Sequence, residues 1–238
     1  MTDIDVAIIG LGLAGSSTAW ALARRGRSVA AFEMYAPGHR NGSSHGRSRI
    51  FRRAYPDPLY VELTGRAGEL WRELEIASEE SLLTLTGGLD HGSQPEIDLI
   101  AALLKADGVP TELLGSAEAA ERWPGMVSEG PVVFHPEAGV LDPDRATAAM
   151  ARLAVELGAH LAHETPVTAI EPLDQCVRIR TAEREWTAGT VVVAAGGWAG
   201  PLLSGLVTLP AVVPLLGDGH ESGSYVHDGR MLMQTSYG

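Results

Sequence analysis

Residues 4–33 read IDVAIIGLGLAGSSTAWALARRGRSVAAFE, and this stretch decides the fold. Residues 4–9 form a short apolar run that is typical of a buried strand. Residues 15–25 are helical in composition and stop at Gly26, and residues 28–32 form a second apolar run. A strand, a tight turn, a helix and a strand in this order predict a βαβ unit with parallel strands.

The turn between the first strand and the helix is Gly10-Leu11-Gly12-Leu13-Ala14-Gly15, a G-x-G-x-x-G pattern. Its glycines allow a tight turn, a close approach to a pyrophosphate, and packing of the helix on the strand. The helix start offers N–H groups and a positive dipole end to phosphates. Glu33, which ends the second strand, can accept hydrogen bonds from ribose hydroxyls and would repel a 2′-phosphate. The pattern predicts a dinucleotide site and disfavours NADP; a glycine-rich turn of some other α/β protein is the alternative.

The chain has 238 residues and a formal net charge of −12. This balance argues against a nucleic-acid-binding protein and against electrostatic docking on an anionic membrane. Cys176 is the single cysteine, which excludes an intrachain disulfide framework and a Cys-only zinc site. We expect Cys176 to be a small buried packing residue. We expect no metal site. Lys105 is the only lysine, so a mechanism that needs a catalytic lysine depends on it.

The rest of the chain alternates between helical and strand patterns. We predict helices at 58–77, 95–106, 116–122 and 142–157, strands at 82–89, 159–163 and 190–195, and an antiparallel meander at 166–187. Asp142 is a good N-cap for the last helix, which should end at Gly158.

Two uncharged stretches raise the question of membrane insertion or export. Residues 6–23 follow Asp3 and Asp5, where a signal peptide would carry positive charge. Residues 186–217 contain Pro201, Pro210 and Pro214, which would break a spanning helix, so we expect a strand, a short helix and another strand there. The cytoplasm is therefore the expected location.

Residues 41–55 read NGSSHGRSRIFRRAY and place four arginines within seven residues. Two readings are open for these arginines: surface salt bridges with the many carboxylates, or binding of an anionic ligand. An NAD-dependent dehydrogenase would instead continue with alternating strands and helices, so this segment argues against that class.

The pattern N-G-S-x-H-G-x-x-R-I-x-R-x-A-Y, after the acidic end of the second strand, resembles the monomeric sarcosine oxidase family. This group includes N-methyltryptophan and pipecolate oxidases within the D-amino-acid-oxidase-like flavoproteins. The resemblance runs from about residue 5 to 214 and covers the N-terminal portion of the family pattern. Further matches are Thr86-Gly87-Gly88-Leu89, Arg122-Trp123-Pro124-Gly125, Gly139-Val140-Leu141 and Val193-Ala194-Ala195-Gly196-Gly197-Trp198.

The resemblance implies an α/β fold. A Rossmann-like FAD-binding domain, with a parallel sheet and an antiparallel meander crossover, would comprise residues 1–80 and 136–205. An incomplete α+β substrate domain would comprise residues 81–135 and 206–238. Because the family pattern continues beyond this chain, we expect uncovered apolar surface and self-association.

The resemblance also implies the site residues. Gly10, Gly12 and Gly15 would hold the FAD pyrophosphate and Glu33 the adenosine ribose. Arg49 would lie against the isoalloxazine ring, and Arg52 would bind the substrate carboxylate. Val167 would contact adenine through its backbone. The remaining cofactor-binding residues would be Ser43, Ser44 and His45 on the flavin side of the loop, and Gly196, Gly197 and Trp198 in a second loop. Arg49, Arg52 and His45 are the catalytic candidates.

By this resemblance the protein is an enzyme, an FAD-dependent oxidoreductase acting on the CH–NH group of a secondary or N-methyl amino acid. The product would be an imine, with hydrogen peroxide where molecular oxygen is the acceptor. Two alternatives remain. One is a catalytically silent FAD- or ADP-binding fragment, because Lys105 and Cys176 do not match the family's oxygen-activating lysine and flavin-attachment cysteine. The other is an NAD-dependent dehydrogenase, which rests on the glycine pattern and Glu33 alone.

Overall fold

The predicted βαβ unit forms at residues 4–33, where β1 and β2 pair in parallel from Val6↔Val29 to Ile9↔Phe32. The structure is a computed structural model that describes residues 2–209 together with the strand backbone of 224–227 and 230–236. In chain order the strands are β1 (Ile4–Ile9), β2 (Val29–Phe32), β3 (Arg49–Phe51), β4 (Leu83–Leu85), β5 (Gly88–His91), β6 (Glu112–Leu114), β7 (Val132–His135), β8 (Gly139–Leu141), β9 (His160–Ala162), β10 (Val167–Pro172), β11 (Val177–Thr181), β12 (Glu185–Val193), β13 (Ser224–His227) and β14 (Arg230–Ser236). The helices are α1 (Leu13–Ala23), α2 (Pro58–Ser78), α3 (Gln94–Ala106), α4 (Ser116–Arg122), α5 (Pro143–Glu156) and α6 (Ala199–Leu202).

A six-stranded sheet has the order β10-β11-β12-β1-β2-β9. The strands β12, β1, β2 and β9 run parallel, while β10, β11 and the first part of β12 form the predicted antiparallel meander. One prediction is wrong in detail: the last meander strand and the strand expected at 190–195 are a single strand, β12. Ala188 is the point of exchange, since it pairs with Val177 of β11 and with Ile4 of β1. Only the tertiary pairing decides that the chain continues straight through this residue.

Helices α1 and α5 pack against each other beside this sheet. The buried positions of α1 include Gly15, Ala19 and Ala23, four residues apart, so one face is composed of small side chains. The predicted cap of α5 is confirmed, because the Asp142 side chain accepts a hydrogen bond from the Arg145 N–H at 3.0 Å. Beyond the C-terminus of this helix Gly158 adopts a left-handed φ of +93°, as its stop signal predicts.

Two aspartates at the start of β1 accept hydrogen bonds from the backbone of neighbouring chain segments. The Ser28 backbone N–H donates to the Asp5 carboxylate at 2.9 Å, and the Thr187 N–H donates to Asp3 at 2.8 Å. These backbone hydrogen bonds stabilise the charged form and so lower the pKa of both carboxyls below the usual range.

The other sheets are a five-stranded sheet, β13-β14-β5-β7-β6, and a three-stranded sheet, β3-β8-β4. The strand predicted at 82–89 is wrong as a single element, because β4 and β5 belong to different sheets. The chain turns between them at Gly87, whose φ is +82°, and the Thr86 and Gly87 N–H groups both donate to the Ala138 carbonyl. Sequence patterns missed the short strands β3, β6, β7 and β8, which are held by pairing with distant partners.

The chain divides into two compact units. The first unit is Met1–Arg47 with Asp142–Leu216, and the second is Ser48–Leu141 with Gly217–Gly238. Residues 48–80 and 136–141 thus group with the second unit, whereas the predicted boundaries put them in the first domain. The small sheet explains this grouping, since β8 pairs with β3 on one side and with β4 on the other.

Three further expectations concern the later part of the chain. Among the described residues, none of the helices combines the length and the apolar character that a membrane crossing requires. The strand expected after the short helix α6, up to residue 217, lies outside the described residues. Cys176, expected to be a buried packing residue, is only half-buried, because it lies in the turn between β10 and β11.

Candidate functional site

Three neighbouring parallel strands of the first unit end at the same edge of the sheet. They are β12, β1 and β2, which end at Val193, Ile9 and Phe32. The Gly10 N–H donates to the Phe32 carbonyl and the Ala194 N–H to the Ile9 carbonyl, each at 2.8 Å. The carboxyl ends of parallel strands are where open α/β sheets bind ligands. The predicted dinucleotide site is therefore expected at this edge.

The glycine turn leaves no room for side chains at two of its positions. Gly10 has a φ of +96°, and a Cβ atom there would lie 2.5 Å from the Ala194 carbonyl oxygen. A Cβ atom on Gly15 would overlap the carbonyl oxygen of Gly10. The first glycine thus permits the turn and the third permits close packing of α1 on it, as the sequence pattern predicts.

Helix α1 begins at Leu13 with no acidic residue in its first turn, so nothing in that turn competes with an anion for the helix dipole. The Leu13 N–H donates to the Ser44 hydroxyl oxygen at 2.9 Å. A Cβ atom on Gly12 would lie 3.0 Å from the same oxygen. A hydroxyl that accepts one hydrogen bond keeps its own hydrogen to donate, for example to a phosphate oxygen. The structure therefore brings Ser44 to the glycine turn, while Ser43 is exposed and His45 half-buried in the same loop.

The Glu33 side chain lies buried at the end of β2, where it supports the turn. Its Oε2 accepts a hydrogen bond from the Leu11 N–H at 2.9 Å and its Oε1 accepts one from the Tyr35 N–H at 3.1 Å. His39 Nε2 lies 3.5 Å from Oε1. Two carboxylate oxygens offer about four acceptor positions, so capacity remains for a ribose hydroxyl. The sequence analysis did not identify Tyr35 and His39 as residues of the site. The available signal was their position in the loop that follows Glu33.

The second predicted loop follows β12 as a 3-10 turn, Gly196–Trp198. Gly196 has a φ of +51°, and no described atom lies within 4 Å of a Cβ built on Gly196 or Gly197. The Trp198 ring packs edge-on against Tyr35 with ring centroids 5.9 Å apart, which links this loop to the segment after β2. Val167 begins the outer strand β10, at a break in its register with β11. Its predicted contact with adenine stays a prediction.

Arg49 and Arg52 belong to the second unit. Arg49 begins β3 and is exposed, with its Nη1 donating to the Ser48 carbonyl at 2.8 Å. The Arg52 guanidinium is half-buried, and its Cζ lies 4.7 Å from the centre of the Tyr55 ring. Such stacking fixes the plane of a guanidinium, and the fork geometry of this group suits bidentate binding of a carboxylate.

Arg53, the last of the four clustered arginines, has a different environment. Its side chain is buried and makes ion pairs with Asp107 and with Glu137, the latter at 2.5 Å. Arg53 therefore forms salt bridges, as one of the two interpretations predicts, but its side chain is buried and not at the surface. The ion pairs join the segment after β3 to the end of α3 and to the β7–β8 turn.

These residues fit a dinucleotide. The turn without room for side chains, the helix start without an acidic residue and the buried carboxylate match a pyrophosphate followed by a ribose. In the described part of the chain there is no group of three His, Cys, Asp or Glu side chains that could hold a metal ion. Fold and site together define a Rossmann-type dinucleotide-binding protein.

Comparison with known proteins supplies the family. The sequence model described as "FAD dependent oxidoreductase" (DAO) matches residues 5–222, so the chain belongs to this family. The chain is 38% identical over 207 residues to the monomeric sarcosine oxidase of Streptomyces avermitilis, covering 85% of this chain and 54% of that protein. It is 32% identical to the N-methyl-L-tryptophan oxidase of Yersinia pestis, covering 87% and 57%. The sarcosine-oxidase resemblance and the FAD prediction are thereby confirmed.

Solved structures agree with this assignment. NikD, an amino acid oxidase essential for nikkomycin biosynthesis, superimposes with a TM-score of 0.72 at 30% identity, over 84% of this chain and 53% of that one. The L-proline dehydrogenase of P. horikoshii gives a TM-score of 0.73 at 28% identity, over 85% and 55%. The predicted α/β fold class is confirmed. The chain spans about half the length of the relatives it matches.

Glu33 offers a direct test of the nucleotide site. We expect Glu33→Gln to reduce the preference for ADP over 2′-phospho-ADP by about tenfold, since the amide removes the charge that repels the 2′-phosphate and weakens a charge-assisted hydrogen bond. Isothermal titration with both nucleotides measures the ratio. Glu183→Gln, an exposed glutamate of the same unit, is the matched control and should leave the ratio unchanged. An unchanged ratio in Glu33→Gln would show that this carboxylate does not face the ribose.

Proposed function

We propose that this chain binds FAD and supplies the cofactor-binding part of an oxidoreductase acting on the CH–NH group of a secondary or N-methyl amino acid. The observation that carries the proposal is the convergence of the glycine turn, Ser44 and Glu33 at one edge of the parallel sheet, in a member of an FAD-dependent family. The names of the relatives suggest the substrate class: sarcosine and N-methyl-L-tryptophan are both N-methyl amino acids.

The first unit would hold the cofactor. The start of α1 would bind the pyrophosphate, with the Ser44 hydroxyl donating to a phosphate oxygen, and Glu33 would accept a hydrogen bond from the ribose. In the turn Gly196–Trp198, the two glycines have no side chains and would let the backbone approach the cofactor closely. His45 and Ser43 would line the flavin side of their loop, and Val167 would contact the adenine.

The second unit would hold the substrate. Arg52, stacked on Tyr55, would bind the substrate carboxylate through the fork of its guanidinium, and Arg49 would add positive charge beside the flavin. Bound FAD supplies the acceptor for the electron pair that leaves the carbon next to the amine nitrogen. We also propose molecular oxygen as the final acceptor, a cytoplasmic location, and self-association of the chain.

A second candidate is an FAD- or ADP-binding protein without turnover. Lys105, the only lysine of the chain, is exposed in the last turn of α3. The family resemblance implies a lysine beside the flavin that activates oxygen. Lys105, at this exposed helical position, does not match that lysine. This candidate predicts nucleotide binding without substrate oxidation.

The two candidates differ in one spectroscopic experiment. We expect the purified chain with FAD to show visible flavin bands that bleach when sarcosine or pipecolate is added without oxygen. Arg52→Met should lower the rate of bleaching by sarcosine about 100-fold, because a bidentate pair of charge-assisted hydrogen bonds is lost. Arg72→Met, at an exposed position on α2 of the same unit, is the matched control and should bleach at the original rate.

Other outcomes would favour an alternative function or another carboxylate-binding residue. Flavin bands that persist with every N-methyl amino acid would favour the silent binding protein. Binding of NADH without FAD, measured by fluorescence, would favour the dehydrogenase alternative. Equal bleaching by the wild-type chain and Arg52→Met would show that another residue binds the carboxylate.

A further inference from the structure

Glu33 makes an unequal set of contacts through its two oxygens. Oε1 faces two donors, the Tyr35 N–H at 3.1 Å and His39 Nε2 at 3.5 Å. Oε2 accepts from the Leu11 N–H at 2.9 Å. Each carboxylate oxygen has two lone pairs, so the hydrogen bonds from Tyr35 and Leu11 use one on each oxygen, and His39 Nε2 lies close to the second lone pair of Oε1. The lone pair available to a ligand is therefore on Oε2, the oxygen beside the glycine turn.

His39 is held in the orientation that this arrangement needs. Its Nδ1 accepts a hydrogen bond from the Asn41 N–H at 3.2 Å, so Nδ1 carries no hydrogen and Nε2 must carry one. That Nε2–H is the edge of the ring near Glu33. The Tyr35 ring packs against the His39 ring with centroids 4.9 Å apart, which restricts rotation of the imidazole. Three groups thus constrain His39: the Asn41 backbone, the Tyr35 ring and the Glu33 carboxylate.

From these contacts we infer that His39 is a positioning residue for the nucleotide: it fixes the Glu33 carboxylate so that Oε2 faces the ribose hydroxyls. Without His39, Oε1 keeps only the Tyr35 N–H, and the carboxylate can rotate or shift toward solvent. The ribose then meets an acceptor that must be reoriented on binding, which weakens the interaction. This inference rests on the proposed function, because it assigns Glu33 to a ribose.

The test compares ADP with 2′,3′-dideoxy-ADP, which lacks both ribose hydroxyls that Glu33 could bind. In the wild-type chain ADP should bind more tightly than the dideoxy nucleotide by about tenfold, the size of one hydrogen bond to a charged group. His39→Leu should reduce this ratio by about threefold to fivefold while changing dideoxy-ADP affinity little. His39→Gln, whose amide can donate in place of Nε2–H, should restore most of the ratio.

The outcomes distinguish a failure of the His39 inference from a failure of the proposed function. If the wild-type chain binds neither nucleotide, the proposed function fails. If it prefers ADP but His39→Leu weakens both nucleotides equally, His39 has only a structural role and the inference is wrong. The inference is also wrong if His39→Leu keeps the full ratio. Thermal unfolding without nucleotide shows whether each variant is folded, and Arg40→Leu, at the exposed next position of the same loop, is the control.

Discussion

Gly15→Ala should abolish measurable ADP binding and destabilise the first unit by about 3 kcal/mol or more. Alanine is favoured over glycine inside a helix by about 1 kcal/mol, so propensity alone predicts a stabilised variant. We expect a loss of stability instead, because the new Cβ would overlap the Gly10 carbonyl oxygen, a backbone atom that cannot rotate away. Relief requires α1 to move off the turn, which removes the helix start from the position where phosphates would bind.

Urea unfolding and ADP titration measure the two parts of this prediction. Gly200→Ala is the matched control, because Gly200 also lies in a helix of the first unit and its added Cβ would meet no described atom within 4 Å beyond its chain neighbours and its own helix backbone. It should lose neither stability nor binding. A Gly15→Ala chain that is as stable as Gly200→Ala and still binds ADP would show that α1 does not pack on the turn as described.

His135→Leu should destabilise the second unit by about 1–3 kcal/mol, because it removes the polar side chain that lies beside the buried Asp90 carboxyl. Asp90 and His135 lie on the neighbouring strands β5 and β7 and are 2% and 0% exposed. His135 Nε2 is 3.6 Å from Asp90 Oδ2. A Cβ on Gly88, the residue paired with His135, would lie 3.2 Å from the same nitrogen, so glycine makes room for the imidazole.

The double variant Asp90→Val/His135→Leu should recover most of this loss, since apolar residues that replace a buried pair together leave no uncompensated charge. Urea unfolding of the two single variants and the double variant gives the coupling. Glu112→Gln is the control: Glu112 lies on β6 of the same sheet, and its ion pair with Arg122 of α4 is exposed and should contribute less than about 1 kcal/mol. A loss below that size in His135→Leu, or no recovery in the double variant, would contradict the pairing.

Much of the cofactor unit could be predicted from local signals. The glycines of the turn, the apolar runs on either side and Asp142 before Pro143 each act within a few residues, so their structural effects follow from sequence alone. The βαβ unit, the meander and the boundaries of α2, α4 and α5 were predicted closely for this reason. The loop of residues 41–55 pointed to the family because its spacing of Ser, His and Arg is specific.

The strand predictions were wrong where pairing between distant parts of the chain determines the structure. β3, β6 and β8 have three residues each, too few for a periodic pattern, and exist through partners distant in the chain. In the run at 82–89 the turn signal is Gly87-Gly88, which the prediction of a single strand passed over. The separation follows from the Ala138 carbonyl, which accepts both N–H groups of the intervening turn.

By itself the sequence determined the class of protein: a parallel α/β sheet with a dinucleotide turn, and a family of FAD-dependent oxidoreductases. It did so because steric limits at glycine and the charge of Glu33 are properties of single residues. Only the tertiary structure decided how Glu33 is held, through Leu11, Tyr35 and His39, and that Asp90 and His135 form a buried pair. Side-chain pairs across strands and loops depend on register and burial, which are set by the packing of the whole unit.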